Sequence, residues 1–296
     1  MCGWMGQCGE LVLPLYELMI NRVLKSKVIH TDDTPVKVLD PELDHARLGR
    51  IWVYVGDTDY PYIIYDYTRS RSRDGPADFL SGYKGFLQAD AYVGYDHLNK
   101  DGDIIEVACW AHTRRKFVDS QTTDAFRSIM SATIIHNLYE VEKKAKGLSS
   151  TRRYDLRQQE AKPELEKFHE WLLRQKPQVL PKSPIGDAIG YTLSNWEALS
   201  RYLEDGDLAI DNNKAERALR GIAVGRGNWI FYGSDNGGKT AAILTSLVAT
   251  CKDHNINPFA YLRDVFTRIS AHPVNQLEEF LPDNWKKNIE NIADQS

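Results

Sequence analysis

Three acidic residues of this 296-residue chain have the type and setting that chemistry at a phosphodiester needs: Asp32 in VIHTDDTP, Asp90 in GFLQADAYVGY and Glu216 in DNNKAERALR. Asp32 and Asp90 each close a short apolar run that reads as a buried strand, and Glu216 follows an Asp-Asn-Asn start that reads as a helix N-terminus. Carboxylates at strand ends and on a neighbouring helix can converge on one point. Hard divalent cations such as Mg²⁺ or Mn²⁺ take oxygen ligands, and two such ions about 4 Å apart clamp the attacking and leaving oxygens of a phosphodiester. Asp32, Asp90 and Glu216 are therefore the candidate catalytic residues and the candidate metal ligands. Each has an ordinary reading when taken alone, since an Asp at a strand end forms turns and a Glu on a helix is solvated.

Basic residues cluster in three places. Arg69, Arg71 and Arg73 alternate in YTRSRSRDG; His112, Arg114, Arg115 and Lys116 follow Trp110; Arg217 and Arg220 flank Glu216, with Arg226 further on. Such groups contact backbone phosphates and so position a nucleic acid without reading its sequence; singly, each is also what a solvated charged face looks like. His112 and Arg115 stand three apart, on one helix face, and Arg220 stands one turn after Glu216, where it faces phosphate or forms an ion pair with that carboxylate. Asp211 is placed to cap the Glu216 helix. Cys109 and His112 lack the two further ligands of a zinc site, and Trp110 and Trp229 read as core residues more readily than as platforms for an unpaired base.

GSDNGGKT competes with this reading, because Gly233, Gly238, Lys239 and Thr240 fit the GxxxxGK[ST] phosphate-loop pattern between the strand-like NWIFYGS and a helix. A phosphate-loop NTPase must still supply a downstream strand ending in a Mg²⁺-binding Asp, and the residues after Thr240 read as helices and tail. Glycines making the tight turn into a helix are the simpler account.

The elements that must hold these residues form an α/β pattern. An amphipathic helix is expected over 11–25, with Leu15, Leu18, Met19 and Val23 at helical spacing, followed by strands VIHTDD, RIWVYVGD, YPYIIYDYT, KGFLQAD and DIIEVACW. A turn-and-helix segment (DGPADFLSGY) and a short one (YDHLNK) interrupt the later strands, so the sheet should begin antiparallel and continue parallel. From 119 to 205 the period is helical, with Gly147 as a stop, and a helix from about Lys239 to His254 and another opened by Pro258 follow. The expected organisation is an N-terminal remnant over 1–29, a core over 30–118, a helical insertion over 119–205, the rest of the core with Glu216 over 206–256, and a C-terminal helix and tail over 257–296. A net charge of −4 excludes a protein basic throughout and leaves nucleic-acid affinity to local patches. No stretch approaches a membrane span, Glu10, Pro14 and Glu17 break any signal-peptide centre, and four scattered cysteines make no disulfide framework, which points to the cytoplasm.

HTDDTPVKVL, LQADAYVGYD, VACWAHTRRKF, IDNNKAERALR and NWIFYGSDNGG, in this order, resemble the catalytic region of the insertion sequence 66 transposase family. The resemblance runs from about Leu11 to the end, including HPVNQLEEFLPDNW. It implies an RNase H-like mixed sheet with a helical insertion before the last catalytic helix, and a DDE-type site using two Mg²⁺ or Mn²⁺ ions. It further implies cleavage and strand transfer at the ends of a mobile DNA element, in the nucleoid. The expected partners are element ends and target DNA, further copies of the chain on that DNA, and helper proteins of the same element. Asp32 matches the first acidic position, Asp90 the second and Glu216 the third; Asp33 stands where the family commonly has Glu. Family members carry a longer N-terminal region with zinc-binding and DNA-recognition segments, of which the expected share here is the last helix. A catalytically inactive DNA-binding remnant is the second function that the resemblance allows.

Overall fold

The computed structural model describes residues 2–90 and 103–293. In chain order the elements are α1 (Cys2–Leu11), α2 (Leu13–Val23), β1 (Val28–Val38), β2 (Arg47–Val55), β3 (Ile63–Thr68), α3 (Asp74–Phe79), β4 (Gly85–Gln88) and β5 (Ile104–Val107). Helices α4 (Trp110–Asp119), α5 (Ala125–Ala145), α6 (Ser150–Leu156), α7 (Lys162–Gln175), α8 (Pro184–Ser194) and α9 (Trp196–Ser200) follow. The chain then continues through α10 (Asn213–Trp229), α11 (Asp235–Asp253), α12 (Pro258–Arg268) and α13 (Pro282–Ala293). The class is mixed α/β with five strands, as the pattern predicts. The short segment expected at YDHLNK lies outside the described residues. The described chain forms two compact units, Met1–Gly85 with Lys214–Ser296, and Phe86–Asn213.

In the first unit β1, β2 and β3 are antiparallel neighbours, with His30 opposite Val55, Asp32 opposite Val53, and Val53 opposite Tyr65. Side chains alternate between the two faces of a strand. Val36 and Val38 of β1, Ile51, Val53 and Val55 of β2, and Tyr65 and Tyr67 of β3 therefore make one apolar face, on which Ala215, Leu219 and Ile222 of α10 and Ala242 of α11 pack. The opposite face carries Trp52 and Tyr54, and the Tyr54 ring stacks on Phe79 of α3 at 3.6 Å between centroids. An edge strand exposes unpaired backbone groups, and α11 meets those of β3 with hydroxyls. Ser246 Oγ accepts from the Tyr65 N–H at 2.8 Å, and Thr250 Oγ1 both accepts from the Ile63 N–H at 3.1 Å and donates to the Ile63 carbonyl at 3.2 Å. Helix α2 buries Leu15, Tyr16, Met19 and Val23, and its Tyr16 hydroxyl donates to the Tyr65 carbonyl at 2.7 Å.

The second unit is mostly helical. Trp110, Phe117, Phe168 and Leu172 are fully buried in its core, with Trp196 edge-on to Trp110 at 6.0 Å. Arg157 is 1% exposed and spends all five of its N–H donors: Glu142 takes two, each at 2.7 Å, and the carbonyls of Tyr202, Asp205 and Leu208 take the rest. A buried guanidinium is tolerated only when paired in this way. It fixes the turn at 202–208 that leads toward α10. Helix α5 ends at Ala145, and Gly147 takes φ +82, the left-handed conformation that suits glycine after a helix.

Two expectations fail at the level of elements. NWIFYGS is no strand: Asn228 and Trp229 are the last residues of α10, Ile230 has φ 60, and Tyr232 makes a single parallel bridge to Val38. Packing prolongs the helix past Gly225 and Gly227, because Trp229 stacks on Tyr232 at 4.5 Å beside the apolar face of the sheet. The helix expected from Lys239 begins earlier, at Asp235.

Candidate functional site

Two neighbouring carboxylates on β1 are separated by the pleat of the strand. Asp33 faces away from α10, toward Arg50 at 2.8 Å and Arg71 at 2.9 Å, and its carboxylate is 3% exposed. Asp32 points the other way, on the face of Val36, Val38 and Val53, and its Oδ1 accepts from the Asp33 N–H at 2.8 Å.

Helix α10 lies over that same face, and three contacts fix its direction. Lys214 Nζ donates to the Gly56 carbonyl at 2.5 Å, one residue past the Val55 that pairs with His30. The Tyr65 hydroxyl donates to the Ala218 carbonyl at 2.7 Å, and Tyr65, Val53 and Asp32 form one row across three strands. Arg226 donates to Thr34 Oγ1 at 2.9 Å and to the Pro35 carbonyl at 2.6 Å, and beyond it Tyr232 meets Val38. The N-terminus of α10 thus lies at the His30 end of β1 and its C-terminus at the Val38 end. Glu216, between Lys214 and Ala218, falls at the level of Asp32, and both residues are half-buried. Asp32 and the helix that carries Glu216 thus lie on one face of the sheet.

Asp90 belongs to the second unit, just past β4. It is half-buried, and its backbone carbonyl accepts from the Tyr191 hydroxyl at 3.3 Å. The preceding Gln88 is fully buried, giving its amide N–H to the Ala209 carbonyl at 2.6 Å and accepting from the Ala209 N–H at 3.2 Å. Asp211 caps the start of α10 as expected, accepting from the Asn213 backbone at 3.1 Å and side chain at 2.6 Å. The Tyr139 hydroxyl also donates to Asp211, at 3.1 Å. Burial and the Asp211 charge hold the Tyr139 phenol protonated well above the usual tyrosine range.

The basic clusters divide by what holds them. Arg69 is exposed yet reaches Asp40 at 3.4 Å and Asp235 at 3.3 Å, and Arg71 is tied to Asp33. Arg226 is a structural link to β1. Arg73, Arg114, Arg115, Lys116, Arg217 and Arg220 are exposed, and His112 is half-buried. Lys116 lies over the Tyr191 ring at 4.6 Å. A cavity of about 440 Å³ in the second unit gathers Arg114, Arg115, His136, Tyr139 and Asn213. Sequence reading passed over His136 and Tyr139, although they stand three apart on α5 and so share a helix face.

Most of the phosphate-loop pattern is helix. Asp235–Gly238 open α11, capped by Ser234, whose hydroxyl accepts from the Gly237 N–H at 3.1 Å. The charge that a helix N-terminus attracts is already there: the Asp235 carboxylate pairs with Arg47 and Arg69 and accepts from the Tyr67 hydroxyl at 2.6 Å. Gly238 is needed for packing, because a Cβ there would come within 2.7 Å of the Tyr67 ring. Trp110 is a core residue, fully buried with its indole N–H on the Leu199 carbonyl at 2.8 Å, and Trp229 packs beside the core. Cys109 accepts from the Asn212 N–H at 3.2 Å, and burial pushes its thiol up to about 11.

Comparison with known families gives two adjoining matches: the model of the Transposase IS66 family over residues 1–240, and that of the IS66 C-terminal element over residues 246–282. Among curated proteins the chain is similar to the uncharacterized proteins y4hP and y4qI of Sinorhizobium fredii (strain NBRC 101917 / NGR234). Identity to y4hP is 34% over 95% of this chain and 55% of the relative, and identity to y4qI is 32% over 97% of this chain and 56% of the relative. The chain spans about half the length of the curated relatives it matches.

Proposed function

The chain belongs to the IS66 family of transposases, and we propose that it is the catalytic region of such an enzyme, cutting DNA at the ends of a mobile element and joining those ends to target DNA. One observation supports this reading beyond family membership: α10, which carries Glu216, packs on the face of the sheet that holds Asp32, while Asp33 is consumed by Arg50 and Arg71. Asp32, rather than its neighbour, is then the first catalytic carboxylate. Asp90 and Glu216 are the second and third.

Carboxylates offer oxygen donors, which suit Mg²⁺ or Mn²⁺ better than thiophilic metals. Two ions bound by Asp32, Asp90 and Glu216 would supply Lewis-acid stabilisation of the charge that develops at the phosphorus. The chain's own share is positioning. The row Asp32–Val53–Tyr65 fixes one carboxylate in the sheet, and the hydrogen bond from Tyr65 to Ala218 and the burial of Ala215 and Leu219 fix the helix that carries the other. Exposed Arg73, Arg114, Arg115, Lys116, Arg217 and Arg220, with His112, are the phosphate contacts, and Arg69 and Arg71 combine that role with their ion pairs. The RNase H-like reading of the fold, the homo-oligomer on DNA and the helper proteins belong to the same proposal.

Asp32→Asn, Asp90→Asn and Glu216→Gln should each abolish Mg²⁺-dependent cleavage of supercoiled or end-containing DNA while the circular dichroism spectrum stays unchanged. Asp33→Asn should keep cleavage and lower stability by roughly 2 kcal/mol, because Arg50 and Arg71 lose their partner. Near-normal cleavage by any of the first three removes that residue from the site, and loss of cleavage in folded Asp33→Asn reverses the assignment between neighbours.

A further inference from the structure

Helices α10 and α11 enclose, with the ends of β2 and β3, a cavity of about 560 Å³. Its floor is apolar, from Val55, Ile63, Ala218, Val248 and Ala249, and its rim carries three cations, Lys214, Arg217 and Lys252, against the one carboxylate of Asp253. Lys214 is anchored by its hydrogen bond to the Gly56 carbonyl at 2.5 Å, whereas Arg217 and Lys252 are exposed.

Gly221 lines the same cavity, and a Cβ built on it would meet no atom within 4 Å. A glycine within a helix costs about 1 kcal/mol relative to alanine. Gly238 of α11 recovers such a cost by admitting the Tyr67 ring, but nothing in the unit fills the space at Gly221. The backbone of α10 is left open to close approach from the cavity side.

The volume falls within the roughly 300–1,000 Å³ of small-ligand sites, which holds one nucleotide and no duplex. An apolar ligand would leave the cations idle, and a bare phosphate would leave the floor wet. A nucleotide uses both, with a flat base against aliphatic side chains and its phosphates on the rim. We propose that this cavity receives one unpaired nucleotide of DNA. Its base lies on the floor beside Gly221, its flanking phosphates meet Arg217 and Lys252, and Asp253 accepts from a base N–H. The proposal rests on the DNA reading above for the source of the nucleotide. Its test is therefore binding in metal-free buffer, which the failure of the cleavage assignment would not touch.

Fluorescence anisotropy of the intact chain with a short labelled single-stranded oligonucleotide and with a blunt duplex decides it. Gly221→Leu puts an apolar side chain into the cavity at a position where a Cβ meets no atom within 4 Å. It should weaken single-strand binding about ten-fold and duplex binding by less than about two-fold, in line with the loss of one buried base, while the melting temperature holds or rises. Lys252→Gln should weaken single-strand binding in the same direction by about five-fold. AMP should displace the oligonucleotide only at concentrations well above the oligonucleotide's own Kd. No change in folded Gly221→Leu, or equal weakening of both DNAs, overturns the proposal. AMP binding tighter than the oligonucleotide would make this a free-nucleotide site, and displacement by a poly-glutamate peptide as strong as by DNA would make it a site for an acidic peptide; either result overturns it too.

Discussion

Asp66 sits in β3 opposite Trp52, on the face of the sheet turned away from α10, and burial pushes its carboxyl up to about 6. The hydrogen bond from the Tyr67 N–H and the charge of Lys239 pull the other way, and Asp78 adds to the rise. The folded state therefore holds this proton more tightly than the unfolded chain, whose Asp titrates near 3.9. Below about pH 4 the residue is neutral in both states and costs nothing; between about pH 4 and 6 the folded state loses stability, and above that the penalty is constant, at most about 3 kcal/mol. Asp66→Asn should accordingly raise the melting temperature at about pH 7.5 and leave it unchanged near pH 4, as read by thermal denaturation at both. An equal shift at the two pH values would show that another group titrates. At this scale the sequence is least informative. Asp32 and Asp33 are equivalent in VIHTDDTP, and only the register, which sets Asp33 against Arg50 and Asp32 on the α10 face, tells them apart.

A helix can satisfy a motif without serving it, and α11 is the case. Its glycines match GxxxxGK[ST], but Gly238 admits the Tyr67 ring and Asp235 occupies the N-terminus with Arg47 and Arg69. Gly238→Ala should therefore destabilise the protein by about 1–3 kcal/mol through overpacking, with the ring at 2.7 Å, whereas Lys239→Ala should leave metal-dependent cleavage unchanged. Denaturant melts and a nicking assay separate the two; ATP affinity lost in Lys239→Ala would restore the phosphate-loop reading. Elements with strong periodicity were legible in the sequence: β1 to β5, the amphipathic α2, and the run of helices from α5 to α9. Helix α1 was not. Gly3, Gly6 and Gly9 weaken its local signal, and a tertiary contact compensates, since Gly9 lets the backbone approach Thr240 of α11. NWIFYGS misled for the converse reason, a β-rich composition placed where Trp229 closes a helix.

Over the whole molecule, charge constrains recognition more than any motif does. The net charge is −4, and the exposed cations are scattered over both units: Arg73, Arg217 and Arg220 in one, Arg114, Arg115 and Lys116 in the other. Such contacts neutralise phosphates and carry no sequence information, so binding should weaken steeply with salt and depend little on base order. Selectivity of the order of 10³ in specific complexes comes from side chains set against base edges in a groove. The element order in the sequence announced the carboxylates and their carriers, but how the chain reads an element end was not written in any motif found there. The chain spans about half the length of its curated relatives. This chain should then bind element ends less than about 10-fold better than random duplex of the same length, and lose affinity for both in parallel as salt rises. Competition binding at fixed salt, repeated at several salt concentrations, measures both terms. A strong preference for one end sequence would place recognition within these residues, most directly in the helices α5 to α9.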